Sequence, residues 1–375
     1  MRFRSRHLID LEVLGKNFKK LKTLCPNNKF IFMVKADAYG HGVIPIVRHS
    51  VTELGITEFG CASLGEALLL RDELFDLEFE LYVFSDVQLD LEECAEIYLN
   101  RRIIPVISNN EDLDNILENT AFKRFPIFLK FNTGMNRLGL DMLDVDSITS
   151  KLKEKGRKSI HHLMTHFSSS SLSMKKNKKN IAQRENFSKI KEAFTSAGIE
   201  IENSSISNSG AIEQKVGLEE THVRPGLILY GPSSLLPQYS YLGHWTGEII
   251  SRLETYIIRF FNVKKGQPIG YGATPCPDDG VVAIIALGYG DGFSTRYIGA
   301  RLKHKGKIGV VAGRVNMDMA QIFFKKGEVP DLEVGELFTV WDNDLEGFQK
   351  FSIETKTIPY EVFIHLTNRV PKIYC

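Results

Sequence analysis

Cysteine is scarce in this chain, and nowhere is there a long apolar run. Five cysteines (Cys25, Cys61, Cys94, Cys276 and Cys375) are scattered through 375 residues, odd in number and without a CxxC pair. That usage argues against a disulfide framework and against a structural zinc site; no metal is expected. No stretch reaches the roughly 18 apolar residues that a bilayer span needs. The nearest candidate, Val281 to Tyr289, has the length of a strand and contains a glycine. The basic start, MRFRSRHLIDLEVLGKN, lacks the apolar segment and small-residue cleavage site of a secretory signal. An excess of one charge is missing too: 47 basic side chains face 46 acidic ones, for a net +1. Such a balance argues against nucleic acid or a membrane surface as a partner held by charge. The cytoplasm is the expected location.

What is present is an ordinary globular composition, 43% hydrophobic and 25% charged, with ample apolar surface to bury. The length suggests about two domains, and two textures are visible. In residues 10–235, short β-branched and aromatic runs alternate with charged segments of helical period. The expected strands are Lys29–Ala36, Phe59–Leu64, Phe79–Ser85, Ile103–Ser108, Pro126–Phe131, His162–Phe167, Asn203–Ser207 and Val223–Tyr230. Helical stretches such as Leu64–Leu74, Asp112–Asn119 and Gln183–Ser196 lie between them. An eight-fold alternation of this size fits a (β/α)8 TIM barrel; a doubly wound open sheet would also accommodate it.

Residues 236–375, together with 1–9, read as a second, β-rich domain, mainly antiparallel. Strand-like runs cover Gly247–Phe261, Gly280–Leu287, Lys307–Val311, Ala320–Phe324 and Leu337–Val340, and a helical period returns at Glu354–Leu366. The linker falls near Gly231–Gly243, which holds Pro232 and Pro237. Ser168–Asn180 (SSSSLSMKKNKKN) is the one low-complexity segment and reads as a flexible, solvated loop.

Barrel chemistry sits at the carboxyl ends of the strands. There the first strand carries Lys35, after the buried run FIFMV. A lysine so placed is either a rim residue bonded to a carboxylate or a desolvated amine suited to Schiff-base chemistry. Lys130 and Arg137 follow the fifth strand, His166 the sixth, Asn208 and Ser209 the seventh, and Arg224 and Gly226 mark the eighth. Each has a structural reading: His166 as a core histidine, Arg224 in an ion pair, Ser209 and Gly226 as turn residues. Ser209 and Gly226, however, lie where barrels commonly build a phosphate site from loop amides. A lysine and a phosphate cradle in one mouth suggest pyridoxal phosphate, which needs an amine for its aldehyde and a clamp for its anion.

Several motifs then become recognisable in order. VKADAYGHG (Val34–Gly42), KFNTGMNRLG (Lys130–Gly139), THFSS, SNS, VRPGLILYG, GYG (Gly270–Gly272), LGYGDGFSTR, GRVNMDM, PYE and the closing NRVPKIY resemble, nearly end to end, the alanine racemases of the fold-type III pyridoxal-phosphate class. The resemblance implies that Lys35 carries the cofactor and acts as one of two catalytic bases. Tyr271, donated by the partner subunit of a homodimer with shared sites, would be the other. Tyr39, Ser209, Tyr360 and the amides of Gly226 and Leu227 would hold the phosphate, with Asn208 beside them. Arg224 would face the pyridine nitrogen. Arg137 would touch the cofactor's phenolic oxygen and the substrate carboxylate, assisted by the amide of Met317. His166 would bridge Arg224 and the tyrosine, and Asp318 would support the site. Lys130 would be carbamylated, its negative charge orienting Arg137; the alternative is an unmodified lysine bonded to a nearby acid. Asn132, Asn316 and Met319 depart from the family's usual acid, cysteine and glutamine.

The implied roles are chemically coherent. Racemisation removes a proton from one face of the α-carbon and returns one to the other, so two opposed bases fit better than one. An arginine resists giving up its proton. Facing the ring nitrogen, it would leave the ring uncharged and a weaker electron sink, which should suppress transamination. D-alanine for peptidoglycan would be the product's use. A racemase of serine or other amino acids shares every motif above, since a pocket methylene is worth only about 1–3 kcal/mol of discrimination. A decarboxylase of the same architecture is disfavoured by the lack of a Gly-Gly-Gly loop and by Arg224. A non-enzymatic cofactor carrier would resemble a lone barrel.

Overall fold

The computed structural model describes residues 3–89 and 91–375. Its parallel sheet occupies eight positions and returns on itself. The first position is a strand broken at Ile31: Lys29–Phe30 pairs with His222–Arg224, and Phe32–Met33 pairs with Glu58–Ser63. Between these ends run Glu80–Asp86, Ile103–Ile107, Phe128–Asn132, His162–Met164 and Ser204–Asn208, every neighbour parallel. Parallel neighbours require crossover helices, which the charged segments supply. Side-chain caps fix where several begin: Ser63 accepts from the Glu66 amide, Asn109 from Asp112 and Asn177 from Lys179. The barrel is filled rather than hollow. Ile31, Tyr82, Phe84, Ile104, Val106, Phe128 and Met164 form a buried cluster of their own, as barrel interiors require.

Three local expectations are corrected. The first strand ends at Met33, not Ala36, because Ala36–Tyr39 adopt left-handed backbone angles. The eighth ends at Arg224, and Leu227–Tyr230 form a 3₁₀ turn; Pro225 has no N–H to offer the ladder. The serine- and lysine-rich loop is not simply solvated. Met174 within it is fully buried, and the helix after it, Lys178–Ser196, starts inside the segment read as loop.

The second sheet is mostly antiparallel. Its order runs Arg301–His304, Lys307–Val311, Ala320–Lys325, Gly280–Ile285, Ser251–Val263, Ser5–Ile9 and Lys372–Tyr374, with Leu337–Trp341 also on Ser251–Val263. Ser5–Ile9 therefore joins this sheet although it precedes the barrel in sequence. The helix expected over Glu354–Leu366 is two helices, Leu345–Glu354 and Pro359–Ile364; Pro359 opens the second, where a missing N–H is harmless. Among the described residues no helix is long and apolar enough to cross a membrane.

Candidate active site

Lys35 opens a tight turn at the carboxyl end of the first strand. The four residues after it have φ between 52° and 54°, a left-handed run without glycine. Left-handed backbone costs an L-residue roughly 1–2 kcal/mol each, so the surroundings must hold it. Glu66 accepts from the amides of Ala36 (2.8 Å) and Ala62 (2.6 Å). The Asp37 carboxylate accepts from Val43 at 2.7 Å and pairs with Lys372 at 3.0 Å. The turn exposes Lys35 at the mouth of a cavity while burying Tyr39.

Opposite lies Arg224, only 3% exposed. Its guanidinium donates to the Ser205 hydroxyl, to the carbonyl of Thr165 at 2.7 Å and to that of Ile206 at 3.3 Å. Nδ1 of His166 lies 3.4 Å from it, and Nε2 of the same ring lies 3.4 Å from the Asn208 amide. Burial pulls Arg224 down to about 9, which still leaves it charged at neutral pH. The same burial, reinforced by Arg224 and Arg137, holds His166 well below its ordinary value and therefore neutral.

A cradle closes the inner end. The Gly226 amide donates to the Ser209 hydroxyl at 3.1 Å. A Cβ on Gly226 would lie 2.4 Å from the phenol oxygen of Tyr39, so any other residue there would have to displace that ring. The rings of Tyr39 and Tyr360 lie 5.7 Å apart, and Leu227 is buried beside them.

The cavity measures about 680 Å³. Lys35, Tyr39, Lys130, Arg137, His166, Asn208, Ser209, Arg224, Gly226, Leu227 and Tyr360 all line it, so the fold brings these expected residues together. Four of them have basic side chains, and among the described residues no aspartate or glutamate lines the wall. Lys130 shows the consequence: burial, then Arg137, Arg224 and Lys35, lower it to about 8, with no acid opposing. The amine of Lys35 is likewise lowered, by burial first and Arg137 second, against Glu66, although the residue as a whole is reached by solvent. Concentrated positive charge with one slot shaped by a glycine fits a ligand that is small and anionic.

Comparison with known proteins agrees along the whole chain. Residues 9–234 match the family model for the alanine racemase N-terminal domain, and residues 250–374 that for the alanine racemase C-terminal domain. The chain belongs to the alanine racemase family. It is an isomerase by that membership, similar to the alanine racemase of Hahella chejuensis, with 29% identity over 99% of this chain and 97% of that one. The solved alanine racemase of Acinetobacter baumannii superposes with a TM-score of 0.86 at 26% identity, each chain covered fully. The fold is also that of the Bartonella henselae alanine racemase, solved with covalently bound pyridoxal phosphate (TM-score 0.84, 21% identity, full coverage of both).

Three expected site residues lie elsewhere on this alanine racemase family chain. Tyr271 (71% exposed), Met317 (53% exposed) and Asp318 do not line the cavity of their own protomer. Asp318 pairs with Arg369 at 2.8 Å, and Arg4 donates to its carbonyl. Other contributors escaped the sequence reading. Gln183, fully buried, donates to the His166 carbonyl at 2.9 Å and accepts from the Ser168 amide at 3.0 Å. Asn132 organises the loop that presents Arg137 by accepting from the amides of Gly134 and Asn136 at 3.1 and 2.9 Å. Its place beside Lys130 in KFNTGMNRLG was the available signal.

Proposed function

We propose that this enzyme interconverts L- and D-alanine with pyridoxal phosphate, using Lys35 and the Tyr271 of a partner subunit as opposed bases. The supporting observation is a cavity lined by four basic side chains and, among the described residues, by no acid, closed by a glycine cradle, in a member of the alanine racemase family. The residues present fit that cofactor: Lys35 would hold it covalently, and Tyr39, Ser209, Tyr360 and the amides of Gly226 and Leu227 would hold its phosphate. When bound, the cofactor acidifies the α-proton of an attached amino acid by drawing off the electron pair left behind.

The rest of the chemistry falls to the chain. A lowered lysine pKa favours the neutral amine at Lys35, which is what a base needs. Arg224, held among neutral acceptors, stays protonated and would leave the ring nitrogen unprotonated. Arg137 would receive the substrate carboxylate, assisted by Met317. His166, neutral between Arg224 and Asn208, would tune the incoming Tyr271. Asp318, tied to Arg369, would steady the segment that carries Met317. The exposure of Tyr271 and Met317 supports a homodimer in which each protomer completes the other's site, and an isolated protomer would be inactive.

Lys130 is proposed to be carbamylated. Its amine takes up CO2, loses a proton and becomes an anion beside Arg137. A pKa near 8 raises the fraction of reactive neutral amine, and no carboxylate among the described wall residues stands ready to pair with the cation instead. Supply of D-alanine for peptidoglycan, in the cytoplasm, is the proposed role.

An absorbance spectrum of the purified protein tests the reading. A visible band that borohydride removes, with the label recovered on Lys35, is expected, together with equal conversion of L- and D-alanine. A colourless protein that takes up no pyridoxal phosphate would overturn it. A panel of D- and L-amino acids decides between alanine and a serine or broader racemase.

A further inference from the structure

Behind Arg224, where a buried cation ordinarily meets a carboxylate, stand two neutral side chains. The guanidinium Nη1 donates to the Ser205 hydroxyl, whose oxygen lies 2.7 Å from Nε2 of His162. Ser205 and His162 are fully buried, one on the strand Ser204–Asn208, the other on His162–Met164, and those strands are adjacent.

Counting protons favours one direction for this chain. A serine hydroxyl has one proton. Its oxygen receives the guanidinium N–H, and its own proton finds an acceptor among the described residues only at Nε2 of His162; a second N–H accepted from that nitrogen would leave the hydroxyl proton without a partner. In that direction the nitrogen holds a lone pair and the imidazole proton sits on Nδ1. Burial, followed by the neighbouring His222 and Arg224, favours the neutral ring that this arrangement needs. Nδ1 itself has no hydrogen-bond partner among the described residues, and the ring stacks on Phe128 at 4.1 Å. An apolar ring would fill that stack without orphaning a buried N–H, so packing alone does not account for a histidine. The nitrogen that earns its place is Nε2.

We propose that His162 is a positioning residue that, through Ser205, fixes the plane and the hydrogen-bond direction of the Arg224 guanidinium with a neutral relay. A carboxylate in its place would orient Arg224 as well but would cancel the positive charge that Arg224 brings to the cavity. The relay keeps the geometry and leaves the field available to an anionic ligand. The consequence for the cofactor rests on the proposed function, in which Arg224 faces the ring; the relay itself does not.

Two experiments test it. In the first, the enzyme carrying pyridoxal phosphate is compared with His162→Phe, His162→Gln, Ser205→Ala and the His162→Phe/Ser205→Ala double variant. Phe keeps the stacked ring and removes the acceptor; Gln keeps an acceptor near the position of Nε2. The Phe and Ala variants are expected to shift the visible cofactor band and weaken cofactor retention by about tenfold, in line with one lost buried hydrogen bond. The double variant should lose no more than either single one, and Gln should restore most of the loss. Additive losses, an unmoved band, or Gln no better than Phe would overturn the relay. In the second, the 15N spectrum of the histidine-labelled protein should show, for the signal missing in His162→Phe, a bare Nε2 and a protonated Nδ1. A protonated Nε2 overturns the proposal whatever the cofactor does. A protein that never acquires the cofactor would defeat the functional reading while leaving this second result decisive for the relay.

Discussion

Gly226 and Tyr39 are so close that a methyl group fits between them only if the tyrosine shifts: a Cβ on the glycine would lie 2.4 Å from the tyrosine oxygen. The contact joins the loop after the last barrel strand to the left-handed turn after the first, at the point where the barrel closes. Gly226→Ala is expected to leave the fold intact and to weaken pyridoxal phosphate binding by about tenfold or more, since overpacking costs about 1–3 kcal/mol. Equilibrium dialysis of the cofactor, with circular dichroism as the control for folding, checks it; unchanged affinity would mean that Tyr39 moves aside freely.

Tyr271 is exposed and does not line the cavity at which Lys35 stands. Lys35→Ala and Tyr271→Phe should each be inactive. Mixed in equal amounts under conditions that exchange subunits, they should regain about a quarter of wild-type activity, because half of the dimers would hold one intact site. No recovery after verified exchange would refute the shared site.

Lys130 gives a pH prediction whose sign follows from its environment. In CO2-free buffer its folded pKa is about 8 against an ordinary 10.5. Between those values the unfolded chain binds more protons, so stability due to this group rises with pH across the window and is lowest below pH 8. Lys130→Met should therefore melt a few degrees above the parent at pH 7, on the order of 2–4 °C per kcal/mol, with the gap closing toward pH 10.5. Calorimetry of both proteins across that range measures it; a constant gap would show that the lysine is not desolvated.

Carbamylation makes a separate claim on the same residue. Lys130→Ala should lose activity that added formate or acetate partly restores, and native mass spectrometry of the wild type should show the mass of one CO2 on Lys130. Rescue by an uncharged molecule of the same size would argue that volume, not charge, is what the site needs.

Arg224→Glu should raise the yield of pyridoxamine phosphate per turnover, because a carboxylic acid can share a proton with the ring nitrogen and deepen the electron sink. Chromatography of the released cofactor after prolonged turnover reads this directly. An unchanged yield would mean that the arginine does not restrain transamination.

Much of the site was legible because its chemistry sits in short contiguous motifs at strand ends. Lys35, Tyr39, Arg137, His166, Ser209, Arg224 and Gly226 come from separate turns, and the alternation of strands alone assigned those turns to one rim. Ser205, His162 and Gln183 were not legible. A histidine inside a barrel strand looks like core, and what makes His162 more than core is a partner 43 residues away in sequence, at 2.7 Å. The left-handed run after Lys35 was hidden for a related reason: nothing in ADAY marks it, and it is held by Glu66 from the next unit.

By itself the sequence determined the periodic alternation, hence the barrel with a β-rich second domain, and the order of residue types delivered to the rim. Those follow from local pattern, since hydrophobic period and turn chemistry act over a few residues. Only the tertiary structure decided that Ser5–Ile9 would lie in the second sheet, that four basic side chains would share one cavity without an acid among the described residues, and that neutral groups would stand behind Arg224. Each depends on which distant segments become neighbours, and burial then sets the charge that each of those groups carries.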